Sequence, residues 1–117
     1  VMREAKRKAR ELADRYTYRV AWSEEDGEHV ATCAEWPYLS WLAPEQGAAL
    51  SGLVEVVVSE IVRRLGTGEA IPDPLSTRAY SGQFRARIPP EEHRRLAIEA
   101  AEQHVSLNRL VSMKLAR

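Results

Sequence analysis

Gln83, Arg85 and Arg87 stand at alternate positions of the stretch Gln83-Phe84-Arg85-Ala86-Arg87-Ile88-Pro89. Arginine carries a planar fork of donors that fits O6 and N7 of guanine, and glutamine makes a bidentate pair with adenine, so these residue types can read base edges. A period of two puts them on one face of a short strand and Phe84, Ala86 and Ile88 on the other. The major groove admits a two-stranded β-ribbon. No partner strand lies close in sequence, so the expected partner is the same strand of a second chain. Taken alone, the alternation also fits an edge strand whose arginines are simply solvated.

The elements that would position this strand follow directly. Pro89 and Pro90 end it and suit a helix start, with Glu91 and Glu92 in the first turn, where acids favour the positive end of the dipole. The pattern predicts a helix to about Gln103 or His104, with Leu96, Ala97, Ala100 and Ala101 inward and Ile98 flanking. A break is expected at His104-Val105. Ser106 is a good N-cap for a second helix that buries Leu107, Leu110, Val111 and Met113 or Leu115. A helix N-terminus with free N–H groups can hold a phosphate.

Residues 82–117 resemble the ribbon-helix-helix DNA-binding domain, on the alternating strand 83–89, the helix from Glu91 and the second helix opening with Ser106-Leu107-Asn108. The resemblance implies that the strands of two chains pair, that Gln83, Arg85 and Arg87 read bases, and that the backbone around Ser106, Leu107 and Asn108 clamps a phosphate. It also implies a dimer core of Phe84, Ala86, Ile88, Leu96 and Leu110. The Ser-Gly-x-Phe-x-x-Arg-x-Pro wording followed by Ser-Leu-Asn is similar to the C-terminal part of HicB-type antitoxins.

The 117 residues carry no net charge, but the charge is unevenly placed. Residues 1–15 are net +3, residues 16–82 net −6 and residues 83–117 net +3. A basic end can meet phosphate, while the acidic middle suits a basic protein. The single cysteine, Cys33, excludes an intrachain disulfide. No run is long and apolar enough for a membrane span, and no signal-peptide core appears near the N-terminus, so a cytoplasmic protein is expected.

Residues 2–14 read as a charged helix with Ala5, Ala9, Leu12 and Ala13 on one face, which could pack on the following sheet through Leu12. The run Lys6-Arg7-Lys8 is either a DNA contact or a solvated face. Residues 16–23 alternate as a half-buried strand, 24–28 form an Asp-Gly turn, His29 to Glu35 return, and Ser40-Trp41-Leu42 form a third strand. From Pro44 and Glu45 to about Leu65, the residues Leu50, Leu53, Val54, Val57, Val58, Ile61, Val62 and Leu65 recur at spacings of three and four, the strongest helical periodicity in the chain. Gly66 and Gly68 stop it.

The fold class expected is therefore α+β: a three-stranded antiparallel sheet covered by a long helix, then a strand-helix-helix unit. The division is a basic helix over 1–15, a first domain over 16–65, a Pro/Gly linker over 66–82 and a dimerising, DNA-binding domain over 83–117. The first domain resembles the partial RNase H-like fold of HicB antitoxins in Glu25-Asp26-Gly27, Glu35-Trp36-Pro37 and the apolar helix from Pro44. It departs from them before that helix, where Trp41-Leu42-Ala43-Pro44 replaces a Gly-Asp-Thr-like turn. The resemblance implies a small basic, HicA-like RNA-cleaving toxin as partner.

Catalysis has little support. The acids of 24–28 sit in one turn, and strands 16–23 and 29–34 hold none, so no metal site is expected. His29, His93 and His104 show no ligand spacing. Cys33 reads as a buried, inert thiol. Gly66-Thr67-Gly68 follows a helix rather than leading into one, which excludes a phosphate loop. No enzyme and no cofactor are expected. The reading is a homodimeric or higher-order DNA-binding antitoxin. Two alternatives are a stand-alone regulator without a toxin and a protein-interaction adaptor that does not bind DNA.

Overall fold

The computed structural model describes residues 1–116. The chain divides into two compact units, Val1–Ala79 and a second beginning at Tyr80. The class is α+β, with one three-stranded antiparallel sheet and four helices among the described residues.

The first unit runs α1 (Met2–Ala13), β1 (Tyr18–Ser23), β2 (Glu28–Cys33), β3 (Ser40–Ala43) and α2 (Gln46–Thr67). The sheet order is β1-β2-β3, with Val20 opposite Ala31 and Ala31 opposite Trp41. The β1–β2 turn forms as the Asp-Gly pair predicts: Gly27 takes a positive φ of 64°, and Ser23 Oγ bonds Asp26. Both strands are shorter than the sequence suggests. Tyr16 lies outside β1, buried edge-on against Trp36 at 6.0 Å, and Glu35 lies beyond the end of β2.

α2 covers the sheet. Ala49, Leu53, Val57 and Ile61 fall every fourth residue and are buried, as is Val58. Burying side chains of the size of Leu53 or Ile61 contributes roughly 1.5–3 kcal/mol each. Leu50 and Leu65, predicted inward, lie exposed at the margin of the stripe. The helix passes Gly66 and stops at Gly68, whose φ of 80° is the left-handed cap that glycine adopts without a Cβ clash. α2 and β3 approach so closely that a Cβ on Gly52 would collide with the indole of Trp41.

α1 packs on α2 rather than on the sheet. Its small residues Ala9 and Ala13 are fully buried there, and Arg10 bridges to Glu55 at 2.7 Å. Small side chains let two helix backbones approach, which explains why an alanine stripe seeks a helix. Cys33 is buried, and burial pushes its thiol up to about 11.

The stretch 66–82, which reads as a linker, is not uniform. Its first part lies on the first unit: Ile71 packs against the core and Pro74 is buried. The second unit contains α3 (Pro90–Glu102) and α4 (Leu107–Leu115), packed on each other.

Candidate nucleic-acid interface

Residues 83–89 form no strand within the single chain; the expected element is one that pairs with a second chain. A strand is defined by its ladder, and among the described residues nothing pairs with this segment. Gly82 bends the chain at a φ of 82°, and Ser81 Oγ bonds both the N–H (3.0 Å) and the carbonyl (3.2 Å) of Gln83. Gln83, Arg85 and Arg87 are exposed, and neither arginine has an ion-pair partner among the described residues.

The residues expected in a dimer core separate into two groups. Leu110 is buried and Leu96 half-buried, between α3 and α4. Phe84, Ala86 and Ile88 are exposed, Phe84 at 81 % and Ile88 at 41 %. Ile98, Met113 and Leu115 are exposed too, although helical spacing placed Met113 or Leu115 inside. The physical reason is size: the unit buries only Ala100 and Leu110 among its described residues, and so short a piece cannot enclose more by itself.

The helix-helix turn is well built. Pro89, extended at ψ 142°, leads into α3, with Pro90 at its start and Glu91 and Glu92 in the first turn. At the other end Val105 N–H donates to Ala100 O (3.1 Å) and His104 N–H to Ala101 O (3.2 Å). This is the Schellman pairing, and it requires His104 to adopt a positive φ of 59°. The sequence reading placed the break here but missed the strained backbone, because histidine gives no signal for a position that glycine prefers.

Ser106 caps α4 as predicted, its Oγ accepting from Arg109 N–H at 3.0 Å. The N–H groups of Leu107 and Asn108 have no partner among the described residues. Lys114 bridges back to Glu99 at 3.1 Å and ties the two helices together. The unit thus presents an exposed, irregular segment with two arginines that form no ion pair among the described residues, an uncovered apolar set, and a capped helix N-terminus with open donors.

The HicB family model matches residues 67–115. The HicB match begins at the last residue of α2 and ends at the last residue of α4, so it takes in the connecting segment and the whole helix pair. It supports a HicB-type protein and is consistent with a component of a toxin–antitoxin system. No curated protein and no solved structure matches the chain. Among the described residues no group of three or more His, Cys, Asp or Glu is placed to hold a metal ion, and no helix is long and apolar enough to cross a membrane.

Proposed function

We propose that this chain is the antitoxin of a HicAB-type toxin–antitoxin pair, a sequence-specific DNA-binding repressor that also neutralises a small basic toxin. The observation that carries the reading is the exposed apolar set Phe84, Ile88 and Ile98 beside unpaired Arg85 and Arg87, within the segment the HicB model matches. In a second copy the same segment is present, and antiparallel pairing of the two would supply the missing ladder and cover Phe84, Ala86 and Ile88 at once. Gln83, Arg85 and Arg87 of both copies then face the major groove. The open N–H groups of Leu107 and Asn108, next to the Ser106 cap, suit a DNA phosphate.

The first unit supplies the toxin-binding part, with the partial RNase H-like sheet and α2 as its frame. The acidic turn Glu24, Glu25, Asp26 is exposed and forms no ion pair among the described residues, which favours a basic partner. The role is non-catalytic, needs no cofactor and is exercised in the cytoplasm.

The test is binding to the gene's own upstream DNA against random DNA over a salt series. The parent binds the operator about a thousandfold or more tighter than random DNA, with steep salt dependence. Arg85→Ala or Arg87→Ala lowers specific binding by roughly 1–3 kcal/mol while the fold is kept. Equal binding by parent and both variants sinks the base-reading assignment. A regulator without a toxin would show the same DNA binding and bind no neighbouring gene product. An adaptor would bind no DNA even at low salt.

A further inference from the structure

The three-stranded sheet has one face covered and one face open. Tyr18, Val20, Ala31, Cys33 and Ala43 belong to the core beneath α2. Among the described residues α2 is the one helix that packs on the strands. Alternate residues of each strand point the other way, and the pairing register sorts them into rows. Ala21, Val30 and Leu42 lie side by side across all three strands. Arg19, Thr32 and Ser40 form the row on one side of them, and Ser23 and Glu28 the row on the other.

An antiparallel sheet with one face in water sets polar residues on that face. Here the central row is apolar on every strand, and Leu42 is 37 % exposed. The charges stand at the two ends. Arg19 is exposed, Glu28 is half-buried, and neither forms an ion pair among the described residues. Arg19 lies two residues from Ala21, and Glu28 lies two residues from Val30, on opposite sides of the central row. A strand rises about 3.3 Å per residue, so the two charges are about 13 Å apart along the strands and do not pair within one chain.

We infer that this open face is a contact with a second copy of the chain, packed face to face. A twofold axis along the central row exchanges the two ends of the face. It sets Ala21, Val30 and Leu42 against the same row of the second copy. It also brings Arg19 over Glu28 of the second copy, and the symmetry makes that pair twice. The face therefore complements itself in charge. Stacked sheets lie about 10 Å apart, a gap that small side chains fill and an arginine reaches across. The contact uses none of Glu24, Glu25 and Asp26, the acids offered above to a basic partner. Eight outward residues a side fall well below the roughly 20–30 of a standard interface, so the dimer is weak, with a Kd on the order of 10–100 μM. The inference stands on the first unit alone and does not depend on the DNA-reading role.

Sedimentation equilibrium on the full chain carrying Phe84→Asp reads this contact apart from any pairing through residues 83–89. The chain should pass reversibly from monomer to dimer between about 1 μM and 1 mM. In that background Arg19→Glu and Glu28→Arg, each alone, should weaken the dimer about tenfold or more, because like charges then face each other. An equimolar mixture of the two variants should regain the parent's affinity, since the mixed dimer restores both opposite-charge pairs. A contact within one chain gives no such rescue. A chain that stays monomeric at about 1 mM overturns the inference. So does a mixture that associates no more tightly than either variant alone. If the chain by itself is monomeric and the Val30 amide gains protection only with the neighbouring gene's basic product, the face belongs to that partner and not to a second copy.

Discussion

The two units solve the burial problem in opposite ways. The first closes its own core: Leu53, Val57 and Ile61 of α2, Ala31 and Cys33 of β2, Ala9 and Ala13 of α1, and Trp36 are all buried in one cluster. Among its described residues the second buries only Ala100 and Leu110 and leaves Phe84, Ile88, Ile98, Met113 and Leu115 in water. A sheet with a helix laid across it can exclude solvent within about eighty residues. Two short helices and one extended segment cannot. The difference teaches where folding itself should depend on concentration: in the second unit and not in the first.

The sharpest break of this contrast is Phe84→Asp. If the pairing proposed above is formed, a charge in the apolar set removes it, and the expected outcome by analytical ultracentrifugation is loss of the proposed dimer together with the proposed operator binding. A variant that stays a fully associated, operator-binding species would show that this face is not the one covered. Leu53→Ala acts on the other side of the contrast. It opens a cavity under α2 and costs about 2–5 kcal/mol. Its unfolding midpoint should fall by the same amount at every protein concentration, and a shift that grows on dilution would couple the two cores.

Acid gives a smaller, local effect on the first unit. Partial burial pushes the Glu35 carboxyl up, but backbone N–H bonds from Thr17 and Leu75 outweigh it and hold its pKa below the usual carboxylate value. A depressed native pKa stabilises the fold above the unfolded value, near 4.3 as an order of magnitude, and that contribution is lost as pH falls through the native value. Protection of the Leu75 amide should therefore weaken on acidification below about pH 4, and Glu35→Gln should flatten the profile. An unchanged profile in that variant would assign the acid sensitivity elsewhere. The smallest expected effect is a gain. His104→Gly relieves the left-handed backbone at the α3–α4 turn and should stabilise the second unit by about 1 kcal/mol in thermal melts. A loss instead would mean that the imidazole makes a contact in the assembled form.

The candidate interface was legible where chemistry and period lie within one short stretch. Gln83, Arg85 and Arg87 could be named from alternation, and Ser106 from its place before an apolar repeat; the structure leaves the first three exposed and makes Ser106 a cap. The strand itself could not be confirmed from one chain, because its hydrogen bonds need another strand. His104 was hidden, since no residue type other than glycine or asparagine advertises a left-handed cap.

By itself the sequence determined the elements whose cause is local. The every-fourth-residue stripe of α2, the Asp26-Gly27 turn, the Pro89-Pro90 helix start and the His104-Val105 break all follow from side-chain period and backbone preference within a few residues. Only the tertiary structure decided what meets across the chain. It laid α1 on α2, set Trp41 against Gly52, and joined Glu35 to Leu75 and Tyr16 to Pro72. Such contacts depend on which surfaces exclude water together once the sheet and α2 have closed, and no periodicity along the chain records that.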